Sequence, residues 1–89
     1  MTTEGFSMQT IYLDASAYRT SAALHGALKA MLRLPDYYGM NADALNDCLS
    51  ERREPVRLWI ASRGDGEVAR ALDLICDVVA DNVGTVKEL

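Results

Sequence analysis

Residues 21–50 read SAALHGALKAMLRLPDYYGMNADALNDCLS, and the way this stretch divides decides the fold. Leu24, Ala27, Leu28, Met31 and Leu32 recur at helical spacing, with Thr20 or Ser21 placed to cap the start. Lys29 and Arg33 lie off that apolar stripe, and Arg33 suits the negative end of a helix dipole. Pro35 then stops the helix. PDYYGMN (35–41) is a turn-like loop carrying Pro, Gly and Asn. Asn41 caps a second helix running from Ala42 to about Glu51.

Strand patterns flank this helical pair. MQTIYL (8–13) alternates and is rich in β-branched and aromatic residues, so it reads as a strand, followed by the polar connection DASAYRT. ERREP is a charged break in which Arg52 and Arg53 complement the end of the second helix. VRLWIAS (56–62) is a second strand with Trp59 expected in the core, and RGDG is a turn. Val68, Leu72, Ile75 and Val79 mark a third helix, widened by Ala71, Leu74 and Val78 and ended by Asn82 and Gly84. TVKEL is a short last strand.

The order is therefore β-α-α-β-α-β. Both crossovers contain helix, so the strands are expected to pair in parallel through right-handed connections. The expected fold is α/β: a small three-stranded parallel sheet packed with three to four helices. One domain spans 1–89, and 1–7 form a frayed lead-in.

The bulk numbers bound the function. A domain of 89 residues buries little more than about 60 % of its unfolded surface, so most apolar residues are needed in the core. The hydrophobic and charged fractions, 49 % and 25 %, are those of a folded globular chain. Net charge is −4, from 13 acids and 9 bases. That argues against direct nucleic-acid binding, which needs a basic face, and fits a basic partner. No apolar run reaches the ~18–20 residues of a membrane span. MTTEGFSMQT has an acid and no basic n-region, so no signal peptide is expected. Cys48 and Cys76 form no C-x-x-C and stand near no His cluster, so both are expected as reduced thiols in a cytoplasmic protein. His25 is the only histidine, which favours a structural or helix-surface role over a metal or catalytic one. RGDG lacks the context of a phosphate loop. No metal and no cofactor are expected.

The second helix carries the chemistry. At about 100° per residue, Leu45 and Leu49 fall on one side with Ala42 beside them. Asp43, Asn46, Asp47 and Ser50 follow i, i+3, i+4, i+7 on the other. The dipole favours Asp43 in the first turn, but nothing local favours Asp47 in mid-helix, where Asp is a poor helix former. A solvated helix face is the plain explanation. Tyr37 and Tyr38 alter it, because aromatics beside charge are a common interface composition. At least one of the two belongs in the core. An outward Tyr beside Asp43 and Asp47 makes a compact anionic platform, able to replace a phosphate in a basic cleft.

These residues resemble the barstar family, intracellular inhibitors of secreted bacterial ribonucleases such as barnase. The resemblance is carried by LHGALKAMLRLPDYYGMNADALNDCL (24–49). The family pattern is an L-H-x-x-L helix followed by L-P-[DE]-Y-Y-G-x-N-x-D-A-L-x-D-C-L, met here in register without gaps. Elsewhere the agreement is one of element order and length. The resemblance implies the same small fold, and that segment 37–51 plugs the active site of a guanyl-preferring ribonuclease in a 1:1 complex. It implies that Asp47 stands in for the RNA phosphate among catalytic Arg and His residues. Tyr37 then packs on the enzyme's catalytic His, and Asp43 pairs with a base at the rim of the guanine-binding side. Ser50 matches a family Thr that hydrogen-bonds at the interface, and Asp77 matches a family Glu that reaches a partner base. Two positions depart from the pattern: Asn46 stands where the family has Trp, and Glu51 where it has Gly. The expected partner-binding set is Tyr37, Asn41, Asp43, Asn46, Asp47, Ser50 and Asp77, on a chain that is monomeric when free.

Two other functions compete. The same acidic face could serve an immunity or regulatory module against a different basic protein or toxin, a reading that Asn46 keeps open. An enzyme using the paired carboxylates as acid and base ranks lower, because no nucleophile or metal cluster accompanies them. The chain is expected not to be an enzyme.

Overall fold

A computed structural model describes residues 9–89. The lead-in expected at 1–7, and Met8 at the start of the first predicted strand, lie outside the described residues. The order is β1 (Gln9–Asp14), a 3-10 turn (Ala15–Ala17), α1 (Ser21–Leu32), α2 (Ala42–Ser50), β2 (Val56–Ser62), α3 (Gly66–Asp81) and β3 (Thr85–Glu88). The sheet is three-stranded in the order β1-β2-β3, and both pairings are parallel. The α/β fold is therefore the one expected, with three α-helices among the described residues.

β1 and β2 alternate, while β3 is exposed throughout. Ile11 and Leu13 of β1 and Val56, Leu58 and Ile60 of β2 are buried under the helices. They meet Leu24, Leu28 and Leu32 of α1, Leu45 and Leu49 of α2, and Val68, Leu72, Ile75 and Val79 of α3 in one core cluster. The intervening residues face the other way. Trp59, expected in the core, is one of them. It stands half-buried beside Tyr12, edge to face, with ring centroids 5.2 Å apart, and Lys87 Nζ lies 5.5 Å from its ring centre. The reason is geometric: the side-chain period of a strand is two, so Trp59 cannot join Leu58 and Ile60 on the covered face. Parallel sheets are usually covered on both faces. Among the described residues, no helix covers this one's outer face.

The connections show what composition hides. DASAYRT, expected as a plain polar link, forms the 3-10 turn; Asp14 accepts from the Ser16 amide at 3.1 Å, and Ala15 is fully buried. Thr20 caps α1 by accepting from the Ala23 amide at 3.1 Å, and Glu67 of α3 accepts from the Ser21 amide at 2.7 Å. The end of α1 comes two residues before Pro35, where Arg33 turns left-handed at φ 54°. Arg52 does more than complement a helix dipole. Its guanidinium donates to the Leu32 carbonyl at 3.0 Å and to Gln9 Oε1 at 2.7 Å, while Gln9 Nε2 donates to the Met31 carbonyl at 2.9 Å. Orphan carbonyls at the end of α1 are thus tied to β1.

Asn82 ends α3 as expected, but the left-handed residue is Val83 at φ 67°, not Gly84. Gly84 answers a different need. A Cβ there would lie 2.5 Å from the Val56 carbonyl oxygen and 2.6 Å from Val79 Cγ1. Only glycine lets β3 leave α3 so close to β2. Gly84→Ala is expected to cost about 2–3 kcal/mol by overpacking, read as a lowered urea midpoint with an unchanged slope.

Candidate functional site

The loop that leads into α2 sends two adjacent tyrosines in opposite directions. Tyr38 is 5 % exposed and Tyr37 is 81 % exposed. Tyr38 is held by His25, whose Nδ1 lies 2.6 Å from the phenolic oxygen. His25 itself is 3 % exposed, deeper than its place between the core and solvent sides of α1 suggests. Burial lowers its pKa below 6.5 and pushes the Tyr38 hydroxyl well up. The pair is therefore a neutral imidazole hydrogen-bonded to a protonated phenol, the tautomer of His25 setting which of the two donates. Asn41 caps α2: its Oδ1 accepts from the Ala44 amide at 2.8 Å, and its Nδ2 donates to the Gly39 carbonyl at 3.2 Å. With Tyr38 pinned and Asn41 capping, Tyr37 and the first turn of α2 have fixed positions on the surface.

Asp43, Asn46, Asp47 and Ser50 are exposed on α2, as their spacing implies, and Asp77 is exposed on α3. The ion pairs among the described residues join Lys29 to Asp36, and Arg63 to Asp73 and Glu88. None of them reaches Asp43, Asp47 or Asp77, so these exposed carboxylates form no ion pair with a base of the described residues. The other expected residues are engaged internally. Asn41 spends its side chain on the cap, and Ser50 Oγ donates back to the Asp47 carbonyl at 2.8 Å. Asn46 Oδ1 accepts from Asn82 Nδ2 of α3 at 2.9 Å.

Beside Asp47 lies an open groove of about 350 Å³, bounded by Tyr37, Gly39, Cys48 and Glu51. A second, of about 340 Å³, lies between Arg33, Pro35, Tyr37 and Arg52 and shares Cys48. Tyr37 thus stands as a ridge between the two, which its sequence position did not reveal. The Cys48 thiol is pushed up by burial and then by the Glu51 and Asp47 carboxylates, so it stays protonated. Both cysteines are free. Among the described residues, no group of His, Cys, Asp and Glu is gathered to hold a metal, and no helix is long and apolar enough to cross a membrane.

The structure thus presents a buried His25–Tyr38 contact, an Asn41-capped helix and exposed acids on that helix's outer side. The profile of the family described as Barstar (barnase inhibitor) matches residues 8–86. This chain belongs to the barstar family. A Bacillus subtilis (strain 168) protein named "Putative ribonuclease inhibitor YrdF" is 46 % identical over 43 residues, covering 48 % of this chain and 47 % of that relative. The match thus spans about half the length of the curated relative.

Two outcomes follow from this geometry. His25 is the only histidine, and its folded-state pKa lies below the unfolded 6.5. The unfolded chain therefore takes up the proton first as pH falls. The His25 contribution is full above about pH 7 and is lost as pH drops through 6.5 toward the folded-state value. Urea midpoints should fall between pH 7.5 and 5.5, and His25→Gln should flatten that slope. Asp47→Ala should leave the far-ultraviolet circular dichroism unchanged and the midpoint equal or slightly higher, since it relieves repulsion of a few tenths of a kcal/mol with Asp43 (about 0.2–0.5).

Proposed function

We propose that this barstar-family chain is a cytoplasmic inhibitor of a small, basic, secreted ribonuclease of guanyl preference, and not an enzyme. Segment 37–51 enters the enzyme's active site in a 1:1 complex, and Asp47 takes the place of the RNA phosphate. The observation that carries this reading is the state of Asp47: exposed in mid-helix, on a capped helix, with no ion pair to a base of the described residues.

Each remaining residue has a role in this scheme. Tyr37 offers its exposed ring to the enzyme's catalytic His, between the two grooves. Asp43 meets a base at the rim of the guanine-binding side, and Asp77 meets another from α3. Ser50 keeps its acceptor lone pairs while its proton goes to Asp47 O, so it accepts from the enzyme. Asn41 and Asn46 act by holding the helix. A carboxylate driven into a water-poor cleft of Arg and His gains charge-assisted hydrogen bonds. Acid facing base also speeds encounter, and salt screens that effect.

A second reading keeps the surface and changes the enzyme. Asn46 is turned toward α3 by Asn82, so the middle of α2 lacks the large apolar contact of the family pattern. A basic toxin without ribonuclease activity could suit that flatter surface.

The test is RNA cleavage by barnase, and by each small basic ribonuclease encoded in the source organism, with and without the chain. Stoichiometric inhibition that weakens from low to high salt is expected. Asp47→Ala should weaken it most of any single change, by about 2–5 kcal/mol, a scale that rests partly on barnase and barstar themselves. Asp43→Ala, Tyr37→Ala and Asp77→Ala should each cost less. Full cleavage by every such enzyme in the presence of intact chain sinks the proposal. Capture of a basic protein without ribonuclease activity would favour the second reading.

A further inference from the structure

Asn82 belongs to no expected site, yet it is the residue that joins α3 to the middle of α2. Its backbone amide closes the end of α3 on the Val78 and Val79 carbonyls, at 3.1 and 3.2 Å. Its side-chain nitrogen has two hydrogens, and both are spent. One goes to the Val78 carbonyl at 2.9 Å, and the other crosses to Asn46 Oδ1 at 2.9 Å. The donor is thus fixed by its own helix, and the acceptor immediately precedes Asp47.

The groups around this link all carry the same sign. Asp43 and Asp47 are exposed on α2, Asp77 and Asp81 on α3. At about 100° per residue, Asp81 precedes Asn82 around α3 on its solvent side, and Asp77 lies one turn before Asp81. Asp47 likewise follows Asn46 away from the seam. Carboxylates on neighbouring helices repel, and no cation of the described residues lies between them within ion-pair distance. Below the surface, the seam is closed by the apolar flank of α3, including Ala71 and Val78, against the α2 side of the core. At the surface, the Asn46–Asn82 bond is the polar tie between α2 and α3 among the described residues.

We infer that Asn82 is a positioning residue for partner binding: its bond to Asn46 holds the acids of α2 and α3 in one rigid docking surface for the basic enzyme. The inference rests on the inhibitor reading above. A surface fixed before contact loses less freedom on binding. The link carries no charge, so it leaves long-range steering unchanged and acts on the lifetime of the complex.

Asn82→Ala, Asn46→Ala and the double variant separate this role from others. Association and dissociation rates are measured against the ribonuclease that the wild-type chain inhibits, barnase or one from the source organism. Each single change should raise the dissociation rate about five- to tenfold, the worth of one hydrogen bond. Association should stay within about twofold. The double variant should be no worse than the more damaging single one, because either change breaks the same bond. Asn46→Asp keeps the accepting oxygen and adds a charge that faces the basic enzyme, so its dissociation rate should not exceed that of the wild type. Asn46→Ala leaves the Asn82–Val78 contact in place, so it and Asn46→Asp decide the question even if Asn82→Ala fails to fold. Unchanged dissociation rates in the single variants, or single effects that multiply in the double, overturn the inference while leaving the inhibitor function standing. A wild-type chain that inhibits none of these enzymes removes the function itself, and the inference with it.

Discussion

Tyr38 and His25 meet 2.6 Å apart beneath the loop that opens α2, and the surface above depends on that contact. A phenol and an imidazole are costly to bury alone, because each carries a group that must find a partner. Here each satisfies the other. Once Tyr38 is committed inward, its neighbour Tyr37 has only solvent to face, and Asn41 arrives where it can cap the helix. The proposed binding surface is thus an outward consequence of an inward hydrogen bond. A change in the protonation of His25 would be felt by the loop before it was felt by the sheet.

The distribution of charge follows a similar economy. Several bases of the described residues are employed elsewhere. Arg52 ties the end of α1 to β1, Arg63 holds Asp73 and Glu88, Lys29 leans toward Asp36, and Lys87 lies over Trp59. The acids on α2 are left without such company. Unpaired carboxylates on a helix stabilise little and repel one another, so folding alone gives no reason for them. The proposed inhibitor role gives one, since a free anion on a rigid support is what a basic active site can accept. The amide link between Asn46 and Asn82 adds a way to hold two such helices together without neutralising either.

Particular residues show how far a one-dimensional pattern carries. The strand at Val56–Ser62 and the helix at Ala42–Ser50 agree with their patterns closely, because period and capping are local properties. The outward stripe of Asp43 and Asp47 was legible for the same reason. Trp59 was misassigned because hydrophobicity does not say which face of a sheet is covered. Arg52 was misread because its acceptors, Leu32 and Gln9, are distant in the chain. Gly84 resembled a helix terminator, whereas its constraint is the nearness of Val56 and Val79. Asn82 gave no functional signal, since its partner lies on another helix 36 residues away.

The sequence by itself determined the order of elements, the class of fold, the acidic helix and its family. All of these rest on spacing between near neighbours, which the backbone geometry of helices and strands makes readable. Only the tertiary structure decided which tyrosine is core, which face of the sheet is bare and which polar side chains are already engaged. Those outcomes depend on side chains from distant segments competing for the same hydrogen bonds and the same buried volume. That competition is settled in space, where residues far apart in the chain become neighbours.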